Sequence, residues 1–218
     1  MKFDELTTIK LWEIASRIPF ESEYFIRIGR DKKLHVPDYF DPTIKNFILE
    51  LGSGWGEVGI ELAKKHPNTG FILMEKNKDR LNVTVREIEK NKLKNIKLIC
   101  CNFNWFLSEL FLENQFSQII LNFPDPWPKK KHWHNRTVNL EFIETLEKLL
   151  VSKGKFIFAT DHGGYGRYAI RTFRKTKLFT PIGSEYVFFR KEFPISKFEK
   201  EKRSEDKTIY YLERERVN

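Results

Sequence analysis

An aspartate enclosed by prolines is the residue of this sequence best suited to chemistry. Asp125 lies in the stretch Asn122–His132, together with three prolines, a tryptophan, three lysines and a histidine. Proline has no N–H to donate and fixes its own φ, so the stretch can continue neither a helix nor a strand, and Asp125 keeps few conformations. The pattern predicts a fixed carboxylate beside a stacking ring and charges that bind phosphate. A solvated proline-rich surface loop is the simpler alternative.

A glycine loop and three polar side chains follow other apolar segments. The first predicted strand, Phe47–Leu51, carries Glu50 near its end and leads into Gly52 and Gly54, while Glu75 and Asn102 end the next two predicted strands. Glycines permit a tight turn and let a ligand approach the backbone. The carboxyl ends of parallel strands meet at one edge of a sheet, which is where ligands bind in such folds. We therefore expect these side chains to contribute to one site.

The residues alone leave two classes of ligand open. Residues 54–59 match G-x-G-x-x-G, with an acid about 20 residues further on, which is the fingerprint of nicotinamide-dependent oxidoreductases. Glu50, however, would repel a pyrophosphate and suits an ammonium group, and Glu75 can accept both hydroxyls of a ribose. Asn102 is placed to reach the edge of an adenine. Together these features are similar to the first motifs of Rossmann-like methyltransferases, which bind S-adenosylmethionine.

Alternating strand and helix patterns surround these residues from about position 47 to 176. Units of this length require a parallel sheet with right-handed crossovers. Residues 4–18 have helical spacing, and residues 186–193 and 208–214 have strand patterns joined by a charged connection at 197–207. Together with the motifs that resemble those of methyltransferases, this pattern predicts an α/β, Rossmann-like class I methyltransferase fold. It has a mostly parallel seven-stranded sheet with an antiparallel C-terminal hairpin, helices on both faces and an extra N-terminal helix.

Bulk composition limits the domain count and the kind of partner. The 218 residues predict a single domain over 1–218, with residues 1–46 as an N-terminal extension packed on it. The net charge of +9 and the pI of about 9.4 favour a polyanionic partner, of which nucleic acid is the commonest. No apolar run reaches the roughly 20 residues of a membrane helix, and no signal peptide is recognisable.

The chain contains two adjacent cysteines, Cys100 and Cys101. They predict small core residues of a protein in the reducing cytoplasm. No cluster of His, Cys and Asp has the spacing of metal ligands, so we expect no metal. Whether the protein is a monomer or a homodimer stays open.

Three motifs resemble one known family, the bacterial tRNA (guanine-N7-)-methyltransferases. The first runs from Phe123 to His132 and is followed by Arg136. The second is Ala159-Thr160-Asp161, with Tyr165 and Tyr168 nearby, and the third is Ser196-Lys197-Phe198-Glu199. The resemblance extends over about residues 45–215, with the motifs in the order and spacing of the family.

This resemblance implies a cofactor, a substrate and a set of site residues. The cofactor would be S-adenosylmethionine, and the substrate a guanine in the variable loop of tRNA. Residues implied to line the cofactor and guanine pocket are Glu50, Gly52, Gly54, Glu75, Asn102 and Asp125. Residues implied to contact the RNA are Lys129, Asp161, Ser196, Lys197, Phe198 and Glu199. Asn102 stands where the family has Asp, and Ser196 where it has Thr.

The chemistry of such a transfer explains the residue types. Guanine N7 carries a free lone pair, so attack on a sulfonium methyl needs alignment rather than a general base. Positive charge then moves onto the guanine ring, and a fixed carboxylate favours that movement. We expect Asp125 to be this catalytic group. Further candidates for phosphate contacts are Lys130, Lys131, His132 and Arg136. Asp161 has an alternative role as the N-cap of a helix that begins near Gly164.

Three other functions remain open on the sequence. A nicotinamide-dependent oxidoreductase would use the same glycine loop. A nucleic-acid methyltransferase that acts on an exocyclic amine would carry two consecutive prolines, whereas here Asp125 separates Pro124 from Pro126. A non-catalytic RNA-binding module on the same fold would not need the intact glycine loop and its acids.

Overall fold

The computed structural model describes residues 4–217 of the chain. The chain forms two compact units: the first ends at Gln115 and the second begins at Phe116. The single domain expected over residues 1–218 stays a prediction. Elements of the first unit are α1 (Glu5–Ala15), β1 (Asn46–Leu51), α2 (Glu57–Lys65), β2 (Thr69–Glu75), α3 (Lys78–Lys90), β3 (Ile96–Cys100) and α4 (Phe103–Leu110). Elements of the second unit are β4 (Phe116–Asn122), α5 (Leu140–Leu149), β5 (Leu150–Thr160), α6 (Gly163–Phe173), β6 (Phe179–Pro181), α7 (Lys197–Ser204) and β7 (Tyr210–Arg216).

Three parallel strands form the sheet of the first unit, in the order β3-β2-β1. Their side chains are almost all buried, as expected for parallel strands covered on both faces. Glu50 pairs in register with Leu73, and Glu75 pairs with Cys100. The pairing therefore brings the acidic ends of β1 and β2 to the same edge of this sheet.

The N-terminal segment packs within the first unit. Trp12 of α1 stacks on Phe106 of α4, with ring centroids 3.9 Å apart. Phe25 forms a parallel bridge with Leu98 of β3, so an extended piece of the segment borders the strand. The N-terminal helix expected over residues 4–18 is confirmed in a shorter form as α1.

Four strands form the sheet of the second unit, in the order β4-β5-β7-β6. β4 and β5 are parallel, whereas β7 runs antiparallel to both β5 and β6. Phenylalanines fill the core beside β5: Phe156 contacts Phe142 of α5 and Phe173 of α6. With these strands the predicted architecture is confirmed, a mostly parallel seven-stranded sheet that ends in antiparallel strands.

The details of the predicted C-terminal hairpin are wrong. No strand spans residues 186–193; one bridge joins Val187 to Tyr211, and the strand that pairs with β7 on the side away from β5 is the three-residue β6. The supposed connection at 197–207 contains helix α7. Ser196 caps this helix by accepting a hydrogen bond from the Glu199 N–H at 3.1 Å. The apolar residues after Glu185 mimic a strand, but they join β7 through a single bridge and their side chains are largely exposed.

Within residues 4–217, no helix is long and apolar enough to cross a membrane.

Candidate active site

The glycine loop of the first unit has the backbone geometry that only glycine adopts freely. Gly52, Gly54 and Gly56 have φ values of 68°, 61° and 78°, all in the left-handed region. Between them, the Ser53 N–H donates to the Met74 carbonyl at 2.9 Å, which ties the loop to β2. The loop thus leaves β1 and turns directly into α2 against the neighbouring strand.

Glu75 holds this loop at the end of β2. Its carboxylate is buried and accepts from the Gly54 N–H at 3.0 Å and from the N–H groups of Lys76 and Asn77 at 2.9 Å. Arg80 approaches the same carboxylate at 3.7 Å. The structure therefore brings the predicted residues Gly54 and Glu75 into direct contact.

Glu50 is buried at the end of β1, and a glycine of α2 makes room for it. A Cβ added to Gly59 would lie 2.8 Å from Glu50 Oε2 and 2.3 Å from Leu73 Cδ2. Our assignment of site residues omitted Gly59. The signal was present, because Gly59 is the last glycine of the G-x-G-x-x-G match and such a glycine allows close packing of helix on strand.

Asn102 lies between β3 and α4 and caps the N-terminus of α4. Its Oδ1 accepts from the Asn104 N–H at 3.2 Å, and its backbone carbonyl accepts from Trp105 at 3.0 Å. An amide oxygen has two lone pairs, so capping leaves one acceptor position for a ligand. The expected contact of Asn102 with an adenine stays a prediction.

The chemistry of this first-unit site fits S-adenosylmethionine. Its side chains offer acceptors, two carboxylates and an amide oxygen, which suit an ammonium, ribose hydroxyls and an adenine amine. Ser53 Oγ in the glycine loop is buried, and it has no hydrogen-bond partner in the described part of the chain. A Cβ at Gly54 would meet nothing within 4 Å, so the loop backbone is open to a ligand. Within residues 4–217, no group of three or more His, Cys, Asp or Glu could hold a metal ion.

Asp125 lies in the second unit, in a loop whose backbone is tightly fixed. The side chain is exposed beyond the end of β4. Phe123 and Trp127, on either side of the Pro-Asp-Pro sequence, have φ values of 51° and 44°. A residue other than glycine in this region costs about 1–3 kcal/mol, so surrounding contacts must hold the loop in place.

Arg136 supplies those contacts, and its expected role in binding phosphate is contradicted. The residue is only 1% exposed. Its Nε donates to the Pro126 carbonyl at 2.8 Å, and its Nη2 donates to the Trp127 carbonyl at 3.4 Å. A guanidinium that is enclosed in this way cannot reach RNA, and it fixes the Asp125 loop from beneath.

Three aromatic rings surround the Arg136 guanidinium. The rings are those of Trp133, Tyr168 and Tyr165, at 4.6, 4.8 and 5.0 Å from the guanidinium carbon. Burial lowers the pKa of Arg136 but leaves the group charged. The faces of the three rings therefore stabilise this buried cation.

The basic residues after the loop form a short 3-10 helix, Lys130–Asn135. Lys129, Lys130 and Lys131 are exposed, so they are free to meet a polyanion. His132 is half-buried, with its ring 5.9 Å from that of Trp127. The expected phosphate contacts of these four residues stay predictions.

The third motif is organised by a buried ion pair network. Glu199 is 2% exposed and contacts Arg190 at 3.4 Å, Arg203 at 3.0 Å and the Tyr211 hydroxyl. Burial, with the Glu199 carboxylate next, raises the pKa of Tyr211 to about 12, so its hydroxyl stays a donor. The enclosed carboxylate supports a positioning role for Glu199 in place of the expected contact with RNA.

This network connects the third motif to the end of β4. Arg190 also donates to Asn122 Oδ1 at 3.5 Å, and the Phe198 ring lies 5.0 Å from that of Phe123. Phe198 is nevertheless 43% exposed, and Lys197 is exposed on the first turn of α7. The structure thus brings Phe198 close to the Asp125 loop, whereas Ser196 acts as a helix cap.

Asp161 is half-buried in the turn after β5. Its alternative role as the cap of α6 is wrong, because His162 caps that helix by accepting from the Tyr165 N–H at 3.0 Å. The Asp161 carboxylate is therefore not needed for the helix. Its contact with substrate stays a prediction.

Solved structures of similar fold identify the fold of this chain. The 16S rRNA methyltransferase KamB matches 81% of this chain and 90% of its own, with a TM-score of 0.60 and 11% identity. TrmN from Thermus thermophilus matches 79% of this chain and 44% of its own, with a TM-score of 0.57 and 15% identity. At these identities the likeness concerns the fold alone, which is that of a class I methyltransferase.

Sequence comparisons give the family. The family model described as "Putative methyltransferase" matches residues 45–212. A tRNA (guanine-N(7)-)-methyltransferase of Leptospira interrogans is 56% identical over 205 residues, which is 94% of each chain. The enzyme of the same name from Thermotoga maritima is 31% identical over 76% of this chain and 52% of its own. The chain belongs to the tRNA (guanine-N(7)-)-methyltransferase family, as the resemblance implied, and it is a methyltransferase.

The close approach at Gly59 gives a testable consequence. Gly59→Ala forces a methyl group against Leu73 and the Glu50 carboxylate, and such overpacking costs about 1–3 kcal/mol. We expect the Kd for S-adenosylhomocysteine to rise about tenfold, as measured by calorimetry. Gly29→Ala is the control, because its Cβ would meet nothing within 4 Å. Equal affinities of the two variants would show that the space beside Glu50 does not shape the site.

Proposed function

We propose that this protein transfers the methyl group of S-adenosylmethionine to N7 of a guanine in tRNA. The observation that carries the proposal is the 56% identity to the Leptospira interrogans relative, over 94% of both chains. That relative is named for this reaction. The proposal includes the cytoplasm as the location, since the substrate is tRNA, and it leaves the oligomeric state open.

The first unit would bind the cofactor through its acceptor side chains. Glu50 is suited to the ammonium of the amino acid part, Glu75 to the ribose hydroxyls and Asn102 to the adenine amine. Gly52 and Gly54 let these parts approach the backbone. The bound cofactor supplies a methyl group made electrophilic by a sulfonium. The chain's task is to hold that methyl in line with N7, which does not require a general base.

The second unit would bind the RNA, and its charge supports this. Residues 116–218 contain 21 Lys and Arg against 13 Asp and Glu, a net charge of +8. Residues 1–115 contain 18 against 17, a net charge of +1. Nearly all of the excess positive charge is therefore in the unit that carries Lys129, Lys130 and Lys131. Contacts of this kind make RNA binding strongly dependent on salt.

Asp125 would act on the guanine. Its carboxylate can accept hydrogen bonds from the guanine N1–H and exocyclic amino group, and its charge favours the positive charge that develops on the ring. Lys129 and Asp161 would add contacts to the RNA. Phe198, packed on Phe123, offers an exposed ring face beside the same loop.

The direct experiment combines labelled methyl transfer with mapping of the product. An unmodified tRNA transcript is incubated with S-adenosylmethionine carrying a labelled methyl group, and the RNA is then treated with borohydride and aniline, which cleave the chain at 7-methylguanosine. The proposal expects label in the tRNA and a single cleavage site. Label without cleavage would support methylation of another atom, such as an exocyclic amine.

A titration addresses the oxidoreductase alternative. Only an enzyme with an acceptor-lined cofactor site of this kind should bind S-adenosylhomocysteine in the micromolar range. Binding of a nicotinamide dinucleotide in that range, without binding of S-adenosylhomocysteine, would contradict the proposal.

A further inference from the structure

Four consecutive apolar side chains of the second unit lie in solvent. Tyr186 and Val187 are each 40% exposed, Phe188 is 57% exposed and Phe189 is 65% exposed. Exposed apolar residues are common singly, but a contiguous group of this kind marks an interaction surface. The segment is held at two points. Val187 forms a two-way backbone bridge with Tyr211, and Arg190, which directly follows the group, is buried against the Tyr211 ring at 4.3 Å.

Three rings of this region form a closed set, which we call the aromatic triad: Tyr186, Phe188 and Tyr210. Their centroids are 5.3 Å (Tyr186–Phe188), 5.7 Å (Tyr186–Tyr210) and 5.5 Å (Phe188–Tyr210) apart. Tyr210 begins β7, so the triad rests on the sheet. Rings that are fixed by one another lose little conformational freedom when a flat ligand stacks on them.

The triad lies beside the turn that holds Asp161. Tyr210 pairs in register with Thr160, the residue before Asp161. A Cβ added to Gly163, two residues after Asp161, would lie 2.8 Å from Tyr210 Oη. A ligand that contacts Asp161 is therefore within reach of the triad.

We propose that the aromatic triad is a stacking surface for an unpaired base of the tRNA, next to the guanine that is methylated. The proposal rests on the proposed function and adds a binding surface to it. Sequence-specific recognition of RNA uses unpaired bases stacked on aromatic side chains, and every base offers such a face. The net charge of +8 of residues 116–218 supplies the matching attraction for the phosphates on either side of that base. A second copy of this chain carries the same net charge, so charge complementarity favours RNA over a second copy as the occupant of this surface.

The test is the affinity of Phe188 variants for an unmodified tRNA transcript, with S-adenosylhomocysteine present. Phe188→Ala and Phe188→Leu should each raise the Kd about tenfold or more, since one stacking partner is lost. Phe188→Tyr keeps a ring and should bind within about twofold of the wild type. The matched control is Phe189→Ala, which removes a more exposed ring that joins none of the ring contacts of the triad, and it should have little effect.

Two further measurements separate the possible failures. The Kd for S-adenosylhomocysteine and the melting temperature should be the same in all variants, because Phe188 is exposed. Equal tRNA affinities of wild type, Phe188→Ala and Phe188→Leu would overturn the proposal, as would a loss in Phe189→Ala as large as that in Phe188→Ala. Dissociation of an oligomer in Phe188→Ala with unchanged tRNA affinity would also overturn it, and would make the surface an interface between copies. Failure of the wild type to methylate any tRNA would instead overturn the proposed function.

Discussion

Replacing Asp125 by asparagine is expected to lower kcat for methyl transfer to tRNA by about 100-fold or more, because in its proposed role the carboxylate is a fixed charge near the developing charge, and one such group is worth about that much. Asparagine preserves the shape of the side chain and one acceptor oxygen but removes the charge. Asp125 is exposed, so the variant should fold as the wild type does. The Kd for S-adenosylhomocysteine should change little, since this product carries no sulfonium. Single-turnover kinetics with saturating tRNA measures the effect on the chemical step.

Glu144→Gln is the matched control for this experiment. Glu144 is an exposed carboxylate of α5 in the same unit. The change therefore also removes one negative charge, but from a helix outside the Asp125 loop. Its kcat should equal that of the wild type. If the two variants had similar kcat values, Asp125 would have no special part in the reaction.

Arg136→Lys should also lower kcat about 100-fold, by a different route. Lysine keeps the positive charge but cannot donate from a planar fork to the Pro126 and Trp127 carbonyls, and it loses the flat contact with three rings. The Asp125 loop is then less well positioned, and a misplacement of about 1 Å can cost two orders of magnitude in rate. A carbonyl left without its donor also costs about 1–3 kcal/mol of stability. The measurement is kcat at a temperature where the variant is fully folded.

A loss of kcat without a change in binding would identify Arg136 as a positioning residue. The Kd for S-adenosylhomocysteine should stay unchanged in Arg136→Lys, and the salt dependence of tRNA binding should match that of the wild type, because the buried guanidinium meets no phosphate. Arg167→Lys, at an exposed position of α6, is the control and should leave kcat unchanged. A flatter salt dependence in Arg136→Lys would instead restore the phosphate contact that its burial contradicts.

The parallel part of the fold could be predicted because each strand is a short apolar run that ends in a polar residue. Glu50, Glu75 and Asn102 terminate such runs, and the glycines after Glu50 require a turn with positive φ. These signals are local, so the sequence carries them directly. The contact between Gly54 and Glu75 follows from the register of two adjacent strands.

The C-terminal region could not be predicted in the same way, because its signals depend on distant partners. Residues 186–193 have the composition of a strand, but Arg190 is drawn into the network of Glu199 and Tyr211. The start of α7 was recognisable, since Ser196 and Glu199 have the spacing of a capping box. The high charge of the segment masked that signal.

Arg136 shows the limit of reading function from residue type. A basic residue after a lysine run indicates a phosphate contact, and only the three-dimensional structure reveals the aromatic rings that bury it. Tyr165 and Tyr168 stand about 30 residues further along the chain, on α6, where helical geometry brings their rings to the same side. The motif is therefore partly a scaffold for the Asp125 loop and, in the proposed function, partly a surface for RNA.

Methyl transfer to a tRNA transcript that contains 7-deazaguanine in place of guanine tests whether N7 is the atom that accepts the methyl group. The substitution replaces the N7 lone pair by a C–H and leaves the Watson–Crick edge and the phosphates intact. We expect labelling of the guanine transcript and none above background for the 7-deazaguanine transcript, although both should bind with similar affinity. Equal label in the two transcripts would contradict the assignment of N7 as the atom that is methylated.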